Sequence, residues 1–298
     1  MPDPGKFGRR APKRARALQL SDYLTGVVPA VPANEDYLAA LGGGWQMLGN
    51  DTYGDCVAVT WANVRRLVTA TLTATPVYPD QDQVFTVYKT QNPGFPSEDN
   101  GMDIQTLLEY LVSHGGPDGA KALAFAAVNP KDPAEVKAAI ALFGYVWTGV
   151  NVLEANMNEF SAGQPWDYSP NSPLDGSHSI VTGGYGAPGS GQLGGDERFI
   201  TWAQETSFTD RFWANCVEEA WVVLWPEHLG SKEFLSGVNM QALAADYTAI
   251  TGKPFPDVPV PPAPAPNPPP GPAPAPPPAP AGFLKWLEEL IAWLKGLV

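Results

Sequence analysis

Asn50-Asp51-Thr52-Tyr53-Gly54-Asp55-Cys56, running on into Val57-Ala58-Val59-Thr60-Trp61-Ala62-Asn63-Val64, is the stretch on which the reading of this chain turns. A Gly-containing turn delivers a cysteine onto the start of a helix. Val57, Trp61, Val64, Leu67, Val68 and Leu72 recur at helical spacing with few polar residues between them, which predicts a buried central helix. Unpaired N–H groups and the helix dipole at such a start favour a thiolate, the reactive form of cysteine. Asp55 acts the other way, because a carboxylate beside a thiol raises its pKa unless it is paired or turned away. Cys56 is the candidate nucleophile. It needs a histidine, a group to orient that histidine and an oxyanion donor.

The chain offers three histidines. His114 precedes Gly115-Gly116 and reads as a helix-end residue, and His228 lies in a Pro-bounded turn. His178 stands where a loop becomes a strand, in Asp175-Gly176-Ser177-His178-Ser179-Ile180-Val181, held rigidly yet reachable. It is the preferred general base. The next strand ends Thr201-Trp202-Ala203-Gln204-Glu205, so Gln204 or Glu205 could orient the imidazole through its second nitrogen. The Cys56 N–H plus a side-chain amide, Asn50 or Gln46, would form an oxyanion hole.

Around this frame the pattern predicts helices over 82–90, 103–112 and from Pro133 to about Leu142, with Asp132 as N-cap. Strands are expected at 124–128, 145–152, 179–183, 198–202 and 220–225, with a long loop at 156–177 and a helical piece over 233–247. A helical first half followed by a strand-rich second half argues for α+β architecture. No internal repeat or long heptad pattern is present.

Composition bounds the function. The 298 residues are 44% hydrophobic, with ten tryptophans and a net charge of −13. Residues 1–16 carry a net +5 inside an otherwise acidic chain, so general nucleic-acid binding is not expected. Two cysteines make no disulfide framework; Cys216 reads as a buried structural residue. No cofactor and no metal site is expected, since no His/Cys/carboxylate cluster has ligand spacing. A basic N-terminus without an apolar segment behind it is not a secretory signal, so synthesis without Sec export is expected.

Sixteen of the 33 prolines fall between Pro254 and Pro280, alternating largely with alanine, which predicts a semi-rigid polyproline II linker. Beyond it, Phe283, Trp286, Leu287, Leu290, Trp293, Leu294 and Leu297 form one face of an amphipathic helix with Lys285, Glu288, Glu289 and Lys295 opposite. Such a helix would bind a partner protein, itself or a membrane surface. The chain therefore divides into a basic flexible arm (1–20), a folded domain (21–252), a linker (253–282) and a helix (283–298).

An amide residue six before a cysteine at a helix start resembles the papain pattern. So does a later Gly-x-His leading into an apolar strand that ends Gly184-Tyr185-Gly186, followed by a strand ending in an amide near a Trp. Leu48-Gly49-Asn50-Asp51-Thr52-Tyr53-Gly54-Asp55-Cys56, with His178-Ser179-Ile180-Val181 and Thr201-Trp202-Ala203-Gln204, is similar to papain-like proteins of actinobacteria and their phages. The resemblance covers about residues 21–230. It implies a central Cys-bearing helix packed on an antiparallel, barrel-like sheet. It implies Cys56 as nucleophile, His178 as base and acid, Asn50 as oxyanion donor where papain-like enzymes usually have Gln, and Gln204 as orienting amide where they usually have Asn. The expected activity is hydrolysis of a peptide or isopeptide bond in a peptide or protein substrate through a Cys–His thioester mechanism. The alternative is a catalytically inactive papain-like binding or virion-associated structural module, a reading supported by Val57 in place of the usual Trp and by Asp55.

Overall fold

Cys56 opens the longest helix in the computed structural model, which describes residues 5–12, 18–24, 31–73, 75–186, 197–251 and 254–255. The chain divides into two units, residues 1–259 and 260–298. The second unit, with the expected amphipathic helix and most of the linker, lies outside the described residues.

Two short strands, β1 (Leu18–Gln19) and β2 (Glu35–Asp36), precede helix α1 (Cys56–Leu72). Nearly every side chain of α1 up to Thr69 is buried, as the near-continuous apolar run requires. Its one buried cation, Arg65, is paired at 2.7 Å with both Asp118 and Glu227 and lies against Trp225. These contacts fix the helix along its axis. Helices α2 (Gln81–Tyr88) and α3 (Ile104–Ser113) start on aspartate caps, Asp80 accepting from the Gln83 N–H and Asp103 from that of Thr106.

Strand β3 (Ala124–Val128) and helix α4 (Pro133–Phe143) follow, the latter with Asp132 as cap and Pro133 in its first turn. Next come β4 (Val146–Leu153), α5 (Glu154–Ser161), β5 (Leu174–Tyr185), β6 (Glu197–Thr201), β7 (Gln204–Phe208), α6 (Asp210–Cys216) and β8 (Val217–Leu224). Two helices, α7 (Lys232–Gly237) and α8 (Met240–Thr251), complete the described part.

The strands form a single sheet in the order β1-β3-β8-β4-β5-β6-β7, with β2 added to β5. Among the described strands β1 pairs with β3 in parallel and the other strand pairings are antiparallel. The expected barrel-like half is instead an open sheet, with β1 and β7 at its ends. Helix α1 packs on β5, and this contact brings the cysteine-bearing turn to the strand that carries His178.

Three local expectations change. The stretch 156–177 is not one loop: it holds most of α5, which buries Asn156 and Phe160, and the start of β5. The strand expected to run through Trp202 stops at Thr201, because Trp202 and Ala203 make a two-residue hairpin turn into β7. The basic arm is not free in its described part. Residues 5–10 are laid against the α1 turn and β5, with the Arg9 side chain buried, and Leu18–Gln19 pairs with β3.

Candidate active site

The candidate site draws on the α1 turn, the mouth of β5, the β6–β7 hairpin and the segment before α3. The turn folds on itself through Thr52 and Tyr53 N–H bonds to the Gly49 carbonyl. Gly49 has a φ of 111°, and a side chain there would meet Phe85 and Asp55. Asp99 Oδ1 accepts the Gly54 N–H at 2.9 Å and holds the turn's far end.

Cys56 is 1% exposed. Burial pushes its thiol up to about 12; the backbone amides of Ser179 and Gly8 and the Arg9 charge favour the thiolate, and Asp55 opposes it. Asp55 is fully buried, and the Asn50 side-chain amide and its own backbone N–H ease its carboxylate only weakly. Desolvation pushes it up to about 8, so near neutral pH it is largely uncharged and repels a thiolate weakly.

His178 sits on β5 opposite Val150 of β4 and is buried. Its Nε2 lies 2.8 Å from Thr201 Oγ1, and its Nδ1 has no hydrogen-bond partner. With Nε2–H donating to Thr201, Nδ1 keeps its lone pair, which is the tautomer a general base needs. Trp202 lays its indole against the imidazole, ring centroids 4.8 Å apart. Its φ of 44° and that of Ala203, 61°, are those of a type I′ hairpin turn, where Asn or Gly is usual. A bulky residue held there is a strained feature at the site. Desolvation, with the Arg9 charge second, pushes the imidazole down to about 3.

Asn50, His178 and Cys56 are met in turn by Lys6, Phe7 and Gly8 of the arm, and no hydrogen bond joins Cys56 to His178. Gln204 is not bonded to His178. It is the cross-strand partner of Thr201 on β7, one strand further from β5, and its Nε2 has no hydrogen-bond partner. The group on the imidazole is Thr201. Glu205 accepts from Trp45 Nε1 instead. Asn50 Nδ2 donates to the Tyr53 carbonyl at 3.0 Å and to the Lys6 carbonyl at 2.9 Å. His114 caps α3 beside Tyr110, His228 is buried against Phe143 and Trp225, and Cys56 and Cys216 are both free thiols. Among the described residues no group of three His, Cys, Asp or Glu is placed to hold a metal ion.

The arm covers these residues. Lys6 bonds Asn50, and Phe7 packs edge-on against both His178 and Trp202. The Gly8 backbone amide lies beside Cys56 and favours its thiolate, and the Gly8 carbonyl accepts the Met102 N–H at 2.7 Å. Arg10 N–H then donates to the Met102 carbonyl at 2.7 Å, and Arg9 N–H to that of Ser177 at 3.2 Å. Gly8 passes so close to Gly54 that a Cβ on it would lie 1.7 Å from the Gly54 oxygen.

No family model and no curated protein matches the chain. Solved structures do. Xylellain, a cysteine protease from Xylella fastidiosa, superposes with a TM-score of 0.56 at 14% identity, over 75% of this chain and 97% of its own. Procathepsin B S9 from Trypanosoma congolense gives 0.54 at 10% identity, over 74% and 86%. Digestive procathepsin L 3 of Tenebrio molitor larval midgut gives 0.51 at 12% identity, over 71% and 76%. These neighbours are papain-like cysteine proteases, and the chain has their mixed α+β fold with an open sheet.

Proposed function

We propose that this protein is a cysteine peptidase or amidase, held latent by its own N-terminal arm. The observation that carries the reading is that a peptide backbone lies along a thiol and an imidazole, bonded by Asn50, Met102 and Ser177. A peptide substrate lying the same way would meet the same groups.

In the open cleft, His178 Nδ1 takes the proton of Cys56, with Thr201 keeping the Nε2 proton in place. The thiolate attacks the carbonyl carbon of a peptide or isopeptide bond. The Asn50 amide that now bonds Lys6, with the Cys56 N–H at the helix start, receives the oxyanion. His178 protonates the leaving amine, and water hydrolyses the thioester. The arm is a poor substrate, because Gly8 sets its backbone amide beside Cys56 and turns its carbonyl to Met102. Burial under the arm also keeps thiol and imidazole neutral, which disfavours the reactive ion pair.

A second reading, an inactive binding or virion-associated module, draws on the unbonded Nδ1 of His178 and on a hydroxyl in the orienting position. Kinship with actinobacterial and phage proteins, and a tether through the proline linker to a helix that binds a protein, itself or a membrane, rest on the sequence.

The test uses the full chain with the arm loosened by Gly8→Ala. Peptide hydrolysis and labelling by an electrophilic thiol probe are expected, both lost with Cys56→Ala and kept with Cys216→Ala. Equal labelling in the two cysteine variants would reject Cys56 as nucleophile. Labelling of Cys56 without turnover of any peptide in a mixed library would favour the inactive module.

A further inference from the structure

Arg9 enters a pocket that its surroundings have been shaped to hold. Its side chain is 0% exposed. Nη1 donates to Glu219 Oε1 at 2.8 Å, and Nη2 to Glu218 Oε2 at 2.5 Å and to Asn151 Oδ1 at 3.3 Å. The acceptors are themselves held. Trp221 Nε1 donates to the other Glu219 oxygen at 2.8 Å, and Ser177 Oγ to Asn151 Oδ1 at 2.9 Å. Room comes from Gly149, which faces Glu219 across β4 and β8; a Cβ there would lie 2.6 Å from Glu219 Cγ and 2.9 Å from Arg9 Cδ.

This is an odd place for two adjacent glutamates. Glu219 is 6% exposed, and desolvation raises its pKa. Without a cation it would be a buried, unpaired carboxylate, which is strongly unfavourable. The pocket therefore favours whichever occupant brings a positive charge. It also discriminates between cations. Two different nitrogens of one planar group meet two different carboxylates, a fork that an ammonium on a flexible stem does not reproduce.

The pocket adjoins the nucleophile. Gly8 faces Cys56 and the next residue fills the pocket, while Met102 clamps the backbone on either side of it. A substrate laid in the same groove puts one side chain there, beside the residue that faces Cys56.

We propose that Gly149, Asn151, Glu218 and Glu219 form a guanidinium-selective subsite, so that the site takes peptides with arginine next to the residue facing Cys56. In the latent state the subsite is filled by Arg9. The substrate preference rests on the peptidase reading above; the selectivity of the pocket does not.

Two measurements separate them. The first is binding in trans. Full-length protein carrying Arg9→Ala, with its melting transition checked against the unaltered chain, is titrated with a labelled peptide of residues 5–11. The same peptide is made with lysine, or with the neutral isostere citrulline, at the Arg9 position. At least tenfold tighter binding of the arginine peptide than of the citrulline peptide is expected, with lysine between them. Adding Glu219→Gln should collapse the gap. Equal affinities, or no binding of the arginine peptide, overturn the proposal. The second is turnover by the Gly8→Ala chain of a peptide library randomised beside the scissile residue. Enrichment of arginine supports the proposal. Turnover without it overturns the proposal and leaves the peptidase reading intact. Selective binding with no turnover keeps the subsite and rejects the peptidase.

Discussion

Asn50 and Lys6 bond each other reciprocally: the Asn50 side-chain amide donates to the Lys6 carbonyl at 2.9 Å, and the Lys6 N–H donates to the Asn50 carbonyl at 2.5 Å. The amide proposed to receive an oxyanion is thus occupied by a carbonyl oxygen in the latent state. One substitution should then act in two opposite directions. Asn50→Ala removes a bond that holds the arm, so thiol labelling of Cys56 should rise. It also removes an oxyanion donor, so turnover by an arm-loosened chain should fall on the order of 10²–10³-fold. Stopped labelling time courses and kcat measured on the same preparation check both signs. A fall in both readouts would mean that Asn50 supports the fold of the turn rather than the reaction.

Gly8→Ala tests the fit of the arm directly. An added methyl on Gly8 collides with Gly54 backbone atoms that cannot yield without moving the cysteine-bearing turn. Displacement of the arm is the cheaper response. Cys56 should then label at least about tenfold faster, which corresponds to roughly 1.4 kcal/mol of lost docking. Cys216, buried at the end of α6 with its thiol also pushed up to about 12 by desolvation, should stay slow. Mass spectrometry of labelled peptides distinguishes the two sites.

The hydroxyl on His178 gives a contrast between neighbours. Thr201→Val keeps the volume but leaves a buried imidazole nitrogen unbonded, at a cost of about 1–3 kcal/mol. Turnover should drop by roughly one to two powers of ten, with the pH profile shifted as the imidazole tautomers redistribute. Gln204→Ala should change kcat by less than about threefold, since no hydrogen bond joins Gln204 to His178. A larger loss at Gln204 than at Thr201 would return the orienting role to the amide.

The difference between Thr201 and Gln204 shows what the sequence can and cannot disclose. Cys56, His178 and Asn50 stand out in the sequence because each sits at a local transition, a turn into a helix or a loop into a strand. The orienting group depends on strand order instead. With β6 between β5 and β7, a residue ending β6 is nearer His178 than one opening β7. The hairpin that sets this order lacks the usual Asn-Gly signal, since Trp202-Ala203 takes the turn with positive φ at both positions. The arm was hidden for a different reason. Basic residues near a terminus read as solvated, and Arg9 is buried only because Glu219, 210 positions away, meets it. Helix α5 has too few apolar residues for its period to emerge from the stretch around it.

Acid should loosen the arm. His178 is held down to about 3 from an ordinary value of 6.5, chiefly by burial and then by Arg9. Departure of the arm hydrates the ring and removes that charge, so the open cleft binds a proton more readily. The docked state binds fewer protons between those two values, and its stability falls as pH drops through that window. The contribution is fully present above pH 6.5. The Met102 amide, which donates to the Gly8 carbonyl, reports this in hydrogen exchange. Its protection factor, corrected for intrinsic rate, should fall between pH 6.5 and pH 4. Constant protection over that range would show that the arm does not control His178 hydration.

Asp55 predicts the opposite slope for the stability of the whole domain. Its carboxyl is pushed up from 3.8 to about 8 by burial, which outweighs the opposing Asn50 amide and its own backbone N–H. The folded state therefore binds more protons than the unfolded chain between those values. Stability from this group is fully present below 3.8 and is lost as pH rises through about 8. Asp55→Asn mimics the protonated form at every pH and removes the titration. The melting temperature of the parent should fall relative to the variant between pH 6 and pH 9, each kcal/mol amounting to about 2–4 °C in a domain of this size. The comparison of slopes, rather than of absolute stability, isolates the ionisation from any loss of fit. The same substitution removes a charge next to Cys56 only where Asp55 is ionised. Its effect on thiol labelling of an arm-loosened chain should thus grow with pH across the same interval. Parallel melting curves for parent and variant would place the Asp55 carboxyl in contact with water or a cation and return it to ordinary carboxylate behaviour.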